Sequence, residues 1–157
     1  LDPELPKAST LDPSDETQQM LWRHHGSGMS WILERMKSHP PEAERLCESL
    51  LYTLAQVTYA VRFERATQVA DVLIRRLQVF YRAPDQGLGC AHQVAAHMAG
   101  LLEQGPDWVV SQVRSYEDQV ARSRIGSRAL SASPSSREMV LVEDPALGHD
   151  AGPVRSS

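Results

Sequence analysis

The spacing of the apolar residues, interrupted by glycine and proline, is the feature that most constrains the fold of this chain. From residue 12 to residue 125, apolar side chains recur at intervals of three and four positions, as they do on one face of an α-helix. This pattern is divided into short segments by Gly26–Gly28, Pro40-Pro41 and Gly105-Pro106. The sequence therefore predicts an all-α fold, a compact bundle of about five to six helices with a disordered N-terminal linker and C-terminal tail.

Capping residues predict where these helices begin and end. Asp12 is an N-cap candidate with Pro13 in the first turn, and the first helix should end at Gly26. Gly105-Pro106 should separate the last two helices. Further helices are expected over residues 30–37, 53–64, 69–81, around 94–102 and from 106 to about 124, with one or two more turns in 42–51.

Residues 53–64 allow two interpretations. Thr53 and Gln56 have the spacing of a capping box, which favours a helix. The residues that follow alternate in polarity as in a strand. We predict a helix, because the neighbouring elements are helical and no partner strand is visible. The alternating residues are Val57, Tyr59, Val61 and Phe63.

The two ends of the chain differ in composition from its middle. Residues 1–11 read as a linker, residues 12–125 as the helical domain, and residues 126–157 as a low-complexity, disordered tail rich in Ser and Pro. The net charge is −4, and most of the acidic excess lies in the ends. A nucleic-acid partner is therefore not expected.

The sequence shows no catalytic, cofactor-binding or metal-binding motif. Gly26-Ser27-Gly28 lacks the third glycine and the preceding strand of a dinucleotide-binding turn. His24 and His25 are adjacent, and His92 and His97 are five apart, so neither pair has the helical spacing for sharing a metal. We expect no catalytic, cofactor or metal residue in this chain.

Arg75-Arg76, within an otherwise apolar helix, is the most unusual local feature. One interpretation is a solvated face whose arginine stems cover apolar surface. The other is that one arginine turns inward to pair with Glu64 or Asp71, because a buried unpaired charge is costly. Asp71 and Arg75 have the favourable i, i+4 order for a helical ion pair.

These residues also resemble a known family. Two neighbouring segments resemble the C-terminal helical domain of FAD-dependent glycerol-3-phosphate dehydrogenases and alpha-glycerophosphate oxidases. They are Val57-Thr-Tyr59-Ala-Val-Arg62-Phe-Glu64-Arg-Ala66 and Asp71-Val-Leu-Ile-Arg75-Arg76. The resemblance extends collinearly over about residues 18–125. Three positions depart from the family pattern and suggest a divergent branch: Gln56 replaces Glu, Leu77 replaces Thr and His25 replaces Tyr.

The resemblance implies a role for the chain within a larger bacterial flavoprotein. The parent would oxidise sn-glycerol 3-phosphate to dihydroxyacetone phosphate, with FAD bound by its N-terminal half and electrons passing to membrane quinone or to oxygen. This fragment would be an inactive cap packed on that half, with a homodimer as a further expectation. The parent would be cytoplasmic, peripheral on the inner face of the membrane. The implied structural or interdomain contacts are Arg62, Glu64, Asp71, Arg75 and Arg76.

Two other classes of function remain open from the residues alone. Residues 54–82 read as two helices with arginines on the second, which would suit a stand-alone interaction or helix-turn-helix module. Burial of Val72, Leu73 and Leu77 would leave few side chains to contact bases. An independent enzyme is disfavoured because no catalytic constellation is visible.

Overall fold

The computed structural model describes residues 14–131, and side chains from 14 to 125. This part of the chain is helical, which confirms the all-α prediction. The elements are α1 (Glu16–His25), α2 (Gly28–Ser38), a 3-10 segment (Pro40–Ala43), α3 (Leu54–Phe63), a π-helical segment (Asp71–Arg76), α4 (Val79–Arg82), α5 (Leu88–Leu101) and α6 (Pro106–Ser131).

The first helix begins later than its sequence predicts. Asp12 lies outside the described residues, and Asp15 is the N-cap of α1. The Asp15 carboxylate accepts hydrogen bonds from the backbone N–H groups of Thr17 at 2.8 Å and Gln18 at 3.1 Å. These bonds satisfy N–H groups that a first helical turn leaves unpaired. Gly26 ends α1 with a φ of 51°, a left-handed backbone that glycine adopts without strain.

Residues 44–53 form an irregular connection rather than the extra helical turns expected over 42–51. Its ends meet across an isolated antiparallel bridge between Arg45 and Thr53. The Leu46 N–H donates to the Tyr52 carbonyl at 2.9 Å. This pairing brings Thr53 into position to start α3, so the connection satisfies its backbone without a helix.

Helix α3 is the centre of the fold, and the helix interpretation of 53–64 is confirmed. Residues 54–58 are all buried, including the polar Gln56 and Thr58. The helix packs against α2, α5, the 3-10 segment and the π-helical segment. The strand-like alternation from Val57 to Phe63 reflects burial on several sides of α3 rather than a sheet face.

The continuous helix predicted over 69–81 is wrong. The Leu77 N–H bonds to the Val72 carbonyl at 2.9 Å, one residue beyond the α-helical partner, which makes a π-turn. Gln78 then adopts a left-handed backbone with φ 56° and interrupts the helix before α4. Apolar spacing did not reveal this break, because Leu77 before it and Val79 after it are both buried.

Helices α5 and α6 form the largest helix–helix contact of the described chain. Tyr116 of α6 is fully buried, and its hydroxyl donates to the Gln86 carbonyl at 2.6 Å. Asp85 accepts from the N–H groups of Gly87 at 2.9 Å and Gly89 at 2.7 Å, which caps the start of α5. Helix α6 continues to Ser131, beyond the end predicted near residue 124.

The apolar core has two parts. The larger one lies between α3, the π-helical segment, α5 and α6, and the smaller one between α1, α2 and α3. No helix among residues 14–131 has the length and apolar character to cross a bilayer. Of the disordered tail predicted over residues 126–157, residues 126–131 belong to helix α6, and residues 132–157 lie outside the described residues.

Candidate functional site

A network of four polar side chains links four elements around α3. The Arg35 guanidinium of α2 contacts the Glu42 carboxylate of the 3-10 segment through two N–H groups, with Nε 2.9 Å from Oε2. Thr58 Oγ1 donates to Glu42 Oε2 at 2.7 Å and lies 2.8 Å from His97 Nε2 of α5. Since the hydroxyl has one proton, His97 must donate from Nε2. We call this set the polar network.

The polar network holds a nearly buried charge pair. The side chains of Arg35 and Glu42 are 17% and 10% exposed. Burial alone would raise the pKa of Glu42, but the hydrogen bonds from Arg35 and Thr58 outweigh it and lower that pKa. Burial lowers the pKa of His97, which keeps the imidazole neutral. The polar network therefore connects α2, the 3-10 segment, α3 and α5 through hydrogen bonds between its own side chains.

A second buried polar contact pairs two of the positions that depart from the family pattern. The Thr53 N–H donates to Gln56 Oε1 at 3.0 Å, so the amide nitrogen of Gln56 faces His25 Nε2 at 2.9 Å. An amide N–H can only donate, which places the proton of His25 on Nδ1.

The environment of His25 keeps its ring neutral. Its side chain is 2% exposed, and Nδ1 lies 3.9 Å from Glu64 Oε1, beyond hydrogen-bond distance. Burial, and then the neighbouring His24, lowers the pKa of His25 to about 4. A second proton on Nε2 would also point at the Gln56 amide. Burial raises the pKa of Glu64, although Arg76 partly opposes that shift.

The arginines and carboxylates singled out from the sequence form two surface pairs. Arg75 Nη1 lies 2.7 Å from Asp71 Oδ1, with the arginine 58% exposed. Arg76 Nε lies 3.3 Å from Glu64 Oε2 and its Nη2 donates to the Glu64 carbonyl at 3.0 Å. Arg76 is 44% exposed, so neither arginine turns into the core. Arg62 is exposed and makes no ion pair with any of residues 14–125.

Asp71 has a further role that its spacing from Arg75 did not predict. Its carboxylate accepts from the backbone N–H groups of Thr67 and Gln68, each at 3.0 Å. These bonds fix the turn between α3 and the π-helical segment. The helix-turn-helix alternative is not supported, because the second of its two helices is a π-turn and a single α-turn joined by the left-handed Gln78.

Two surface depressions lie away from the polar network. A groove of about 1010 Å³ runs between the π-helical segment, α4 and α6, beside Tyr81, which is 71% exposed. A smaller cleft of about 370 Å³ lies between α1 and α4 and is lined by Arg23, His24 and Arg82. No group of three metal-ligating side chains occurs among the described residues.

Sequence reasoning missed Glu42, Thr58 and His97 as a set. The only available signal was the presence of polar residues within the apolar run that became α3. Their contact partners are 16 and 39 positions away along the chain, so no local pattern could pair them.

The comparison with protein families decides what kind of chain this is. Residues 6–107 match the family of the C-terminal domain of alpha-glycerophosphate oxidase. The chain belongs to that family. The match includes α1 to α5 and ends at the start of α6, and it agrees with the resemblance that the sequence motifs indicated.

Curated relatives point in the same direction. The chain is 31% identical over 78 residues to proteins named glycerol-3-phosphate dehydrogenase 2 from Mycobacterium tuberculosis and Mycobacterium bovis, which covers 50% of this chain and 13% of each relative. It is 27% identical over 96 residues to glycerol-3-phosphate dehydrogenase of Mycobacterium leprae, covering 61% of this chain and 16% of that relative. No solved structure matches the chain significantly. This alpha-glycerophosphate oxidase C-terminal domain thus corresponds to a small part of its relatives' length.

Proposed function

We propose that this chain is the non-catalytic C-terminal cap of an FAD-dependent glycerol-3-phosphate dehydrogenase. The observation that carries the proposal is the family match over residues 6–107, combined with relatives that bear that enzyme name. In this proposal the parent oxidises sn-glycerol 3-phosphate to dihydroxyacetone phosphate. The parent acts in the cytoplasm, peripheral on the membrane, and passes its electrons to quinone.

The residues of this domain do not fit FAD. Dinucleotides bind where a glycine-rich turn joins a strand to a helix. Residues 14–131 contain no strand that could start such a turn. We therefore assign the flavin and the substrate to the N-terminal half of the parent, and we assign to this domain the task of packing against that half.

The candidate contact residues divide into two roles. The Arg76–Glu64 pair links the π-helical segment to the end of α3, and the Arg75–Asp71 pair lies within that segment, so we assign structural roles to both pairs. Arg62 has no ion-pair partner among residues 14–125 and lies on the exposed side of α3. We assign Arg62 to the contact with the N-terminal half, with a carboxylate there as its partner. A homodimer remains a second role for the same surface.

The first test is the anaerobic addition of glycerol 3-phosphate to the purified full-length parent. The proposal expects a flavin absorbance band that bleaches on addition of this substrate. A parent without flavin, or a flavin that stays oxidised with glycerol 3-phosphate, would contradict the proposal.

The role of Arg62 is tested in the same parent with a matched control. Arg62→Gln should lower the temperature at which flavin is released, because it removes a contact between the two halves. Arg114→Gln removes the same charge from an exposed position of α6 and should leave that temperature unchanged. Equal effects of the two variants would remove Arg62 from the interdomain contact.

A further inference from the structure

The cleft between α1 and α4 concentrates positive side chains around a small volume. Arg23 and His24 lie in the last turn of α1, and Arg82 lies in the last turn of α4. All three line the cleft of about 370 Å³. Glu16 is the one acidic residue among the described residues that line the cleft; it starts α1 and lies seven positions, or about 10 Å of helix rise, from Arg23. We call this the basic cleft.

The two arginines of the basic cleft form no ion pair with a described residue, although Glu16 lines the same cleft. Both are exposed, and neither forms an ion pair with any of residues 14–125. Other arginines of the domain do find a carboxylate, as Arg35 and Arg75 do. Partial negative charge at a helix C-terminus favours a nearby cation.

His24 adds a third polar group to the basic cleft, and its position is fixed. The Tyr52 hydroxyl lies 3.4 Å from His24 Nε2, and the two rings meet edge-on at 5.5 Å. Burial, and then the charge of Arg82, lowers the pKa of His24. His24 and Arg82 line the same cleft, so an anion bound between them would contact both groups.

We propose that the basic cleft binds the phosphate group of a small soluble ligand, either inorganic phosphate or a phosphate monoester. Two guanidinium groups and an imidazole can together offer several donors to one tetrahedral oxyanion, and arginine forks match phosphate oxygens in pairs. The cleft volume admits a phosphate with a short organic group. Chloride or a single carboxylate would use fewer of these donors. The inference does not depend on the proposed enzyme function.

The test uses this chain and inorganic phosphate, followed by NMR of the His24 ring at constant ionic strength maintained with potassium chloride. Saturable shifts of the His24 signals are expected, together with a rise in the pKa of His24, because a bound dianion offsets the charge of Arg82. Arg82→Gln should weaken binding about tenfold or more, the usual effect of losing a charge-assisted hydrogen bond. Arg23→Gln provides a second, independent variant if Arg82→Gln does not fold.

Controls separate the proposal from its rivals. Arg114→Gln removes one positive charge from α6, far from the cleft in sequence, and should leave phosphate binding unchanged. Glycerol 3-phosphate should also bind, whereas glycerol should not. Shifts that do not saturate, that appear equally with chloride, or that persist in both cleft variants would overturn the proposal. Binding only to vesicles that contain phosphatidate, without binding of soluble phosphate, would also overturn it.

Discussion

Removing the charge of Glu42 tests the idea that the polar network fixes the helices around α3. Glu42 connects α2 and α3, through Arg35 and Thr58, to the 3-10 segment in which it lies. Glu42→Met leaves the Arg35 guanidinium without its carboxylate, in a site where its side chain is only 17% exposed. The Thr58 hydroxyl at the same time loses Glu42, the acceptor of its shortest hydrogen bond.

The expected loss of stability follows from these exposures. Breaking a buried ion pair by removing one partner costs about 3–5 kcal/mol, and Arg35 can recover some water at its exposed edge. We therefore expect Glu42→Met to lower the free energy of unfolding by about 3 kcal/mol. The double variant Arg35→Met/Glu42→Met buries no unpaired charge, so its loss should be smaller than that of Glu42→Met alone.

Urea unfolding followed by far-ultraviolet circular dichroism measures these differences as shifts of the midpoint at constant slope. Arg75→Met is the matched control, because its ion pair with Asp71 lies at the surface and contributes about 0.5 kcal/mol or less. If Glu42→Met and Arg75→Met shift the midpoint equally, the polar network does not hold the helices together.

Four further predictions concern other buried contacts. The pKa of His25 is about 4 in the folded chain and near 6.5 in the unfolded chain. The unfolded chain therefore binds a proton on His25 at a higher pH than the folded chain does, so the free energy of unfolding should decrease as the pH falls from 6.5 to 4. Gln56→Glu should raise the pKa of His25 in ring NMR titrations, because a carboxylate would then face Nε2; an unchanged pKa would contradict the assigned contact. Gly28→Ala should lower the free energy of unfolding by about 1–3 kcal/mol, because the added Cβ would lie 2.5 Å from a ring carbon of Tyr59. In the control Gly100→Ala the added Cβ meets no atom within 4 Å, so this variant should raise the free energy of unfolding by about 0.5–1 kcal/mol. Similar melting temperatures for the two variants would refute this difference. Tyr116→Phe should cost about 1 kcal/mol in urea unfolding, because a buried carbonyl loses the hydroxyl that lies 2.6 Å from it, and a neutral effect would show that water replaces the hydroxyl.

The contact between His25 and Gln56 gives a physical meaning to two of the departures from the family pattern. Separately, each substitution changes a polar side chain at a position that becomes buried. Together they form one hydrogen bond, with an amide as donor and a neutral imidazole as acceptor. Changing both positions together pairs the Gln56 amide with His25 Nε2, whereas His25 Nδ1 has no hydrogen-bond partner among the described residues.

The sequence by itself determined the helical class and some helix ends, such as the end of α1 at Gly26 and the start of α3 after Thr53. Apolar residues at intervals of three and four lie on one face of an α-helix, so this spacing predicts helices. Glycine and proline change the backbone conformation at their own positions, so they indicate where a helix ends. Thr53 and Gln56 predicted the start of α3 for the same reason, since a capping box lies within one turn. The family motifs around Tyr59 and Asp71 were also local in sequence, so they could be read without a fold.

Only the tertiary structure decided how the polar residues pair and where the helix over 69–81 breaks. The π-turn at Leu77 and the left-handed Gln78 keep apolar residues buried on both sides, so the apolar spacing is the same with or without the break. Arg75 and Arg76 pair at the surface because their segment lies on the outside of the bundle. Such pairings depend on which helix faces meet, and local spacing does not encode that geometry.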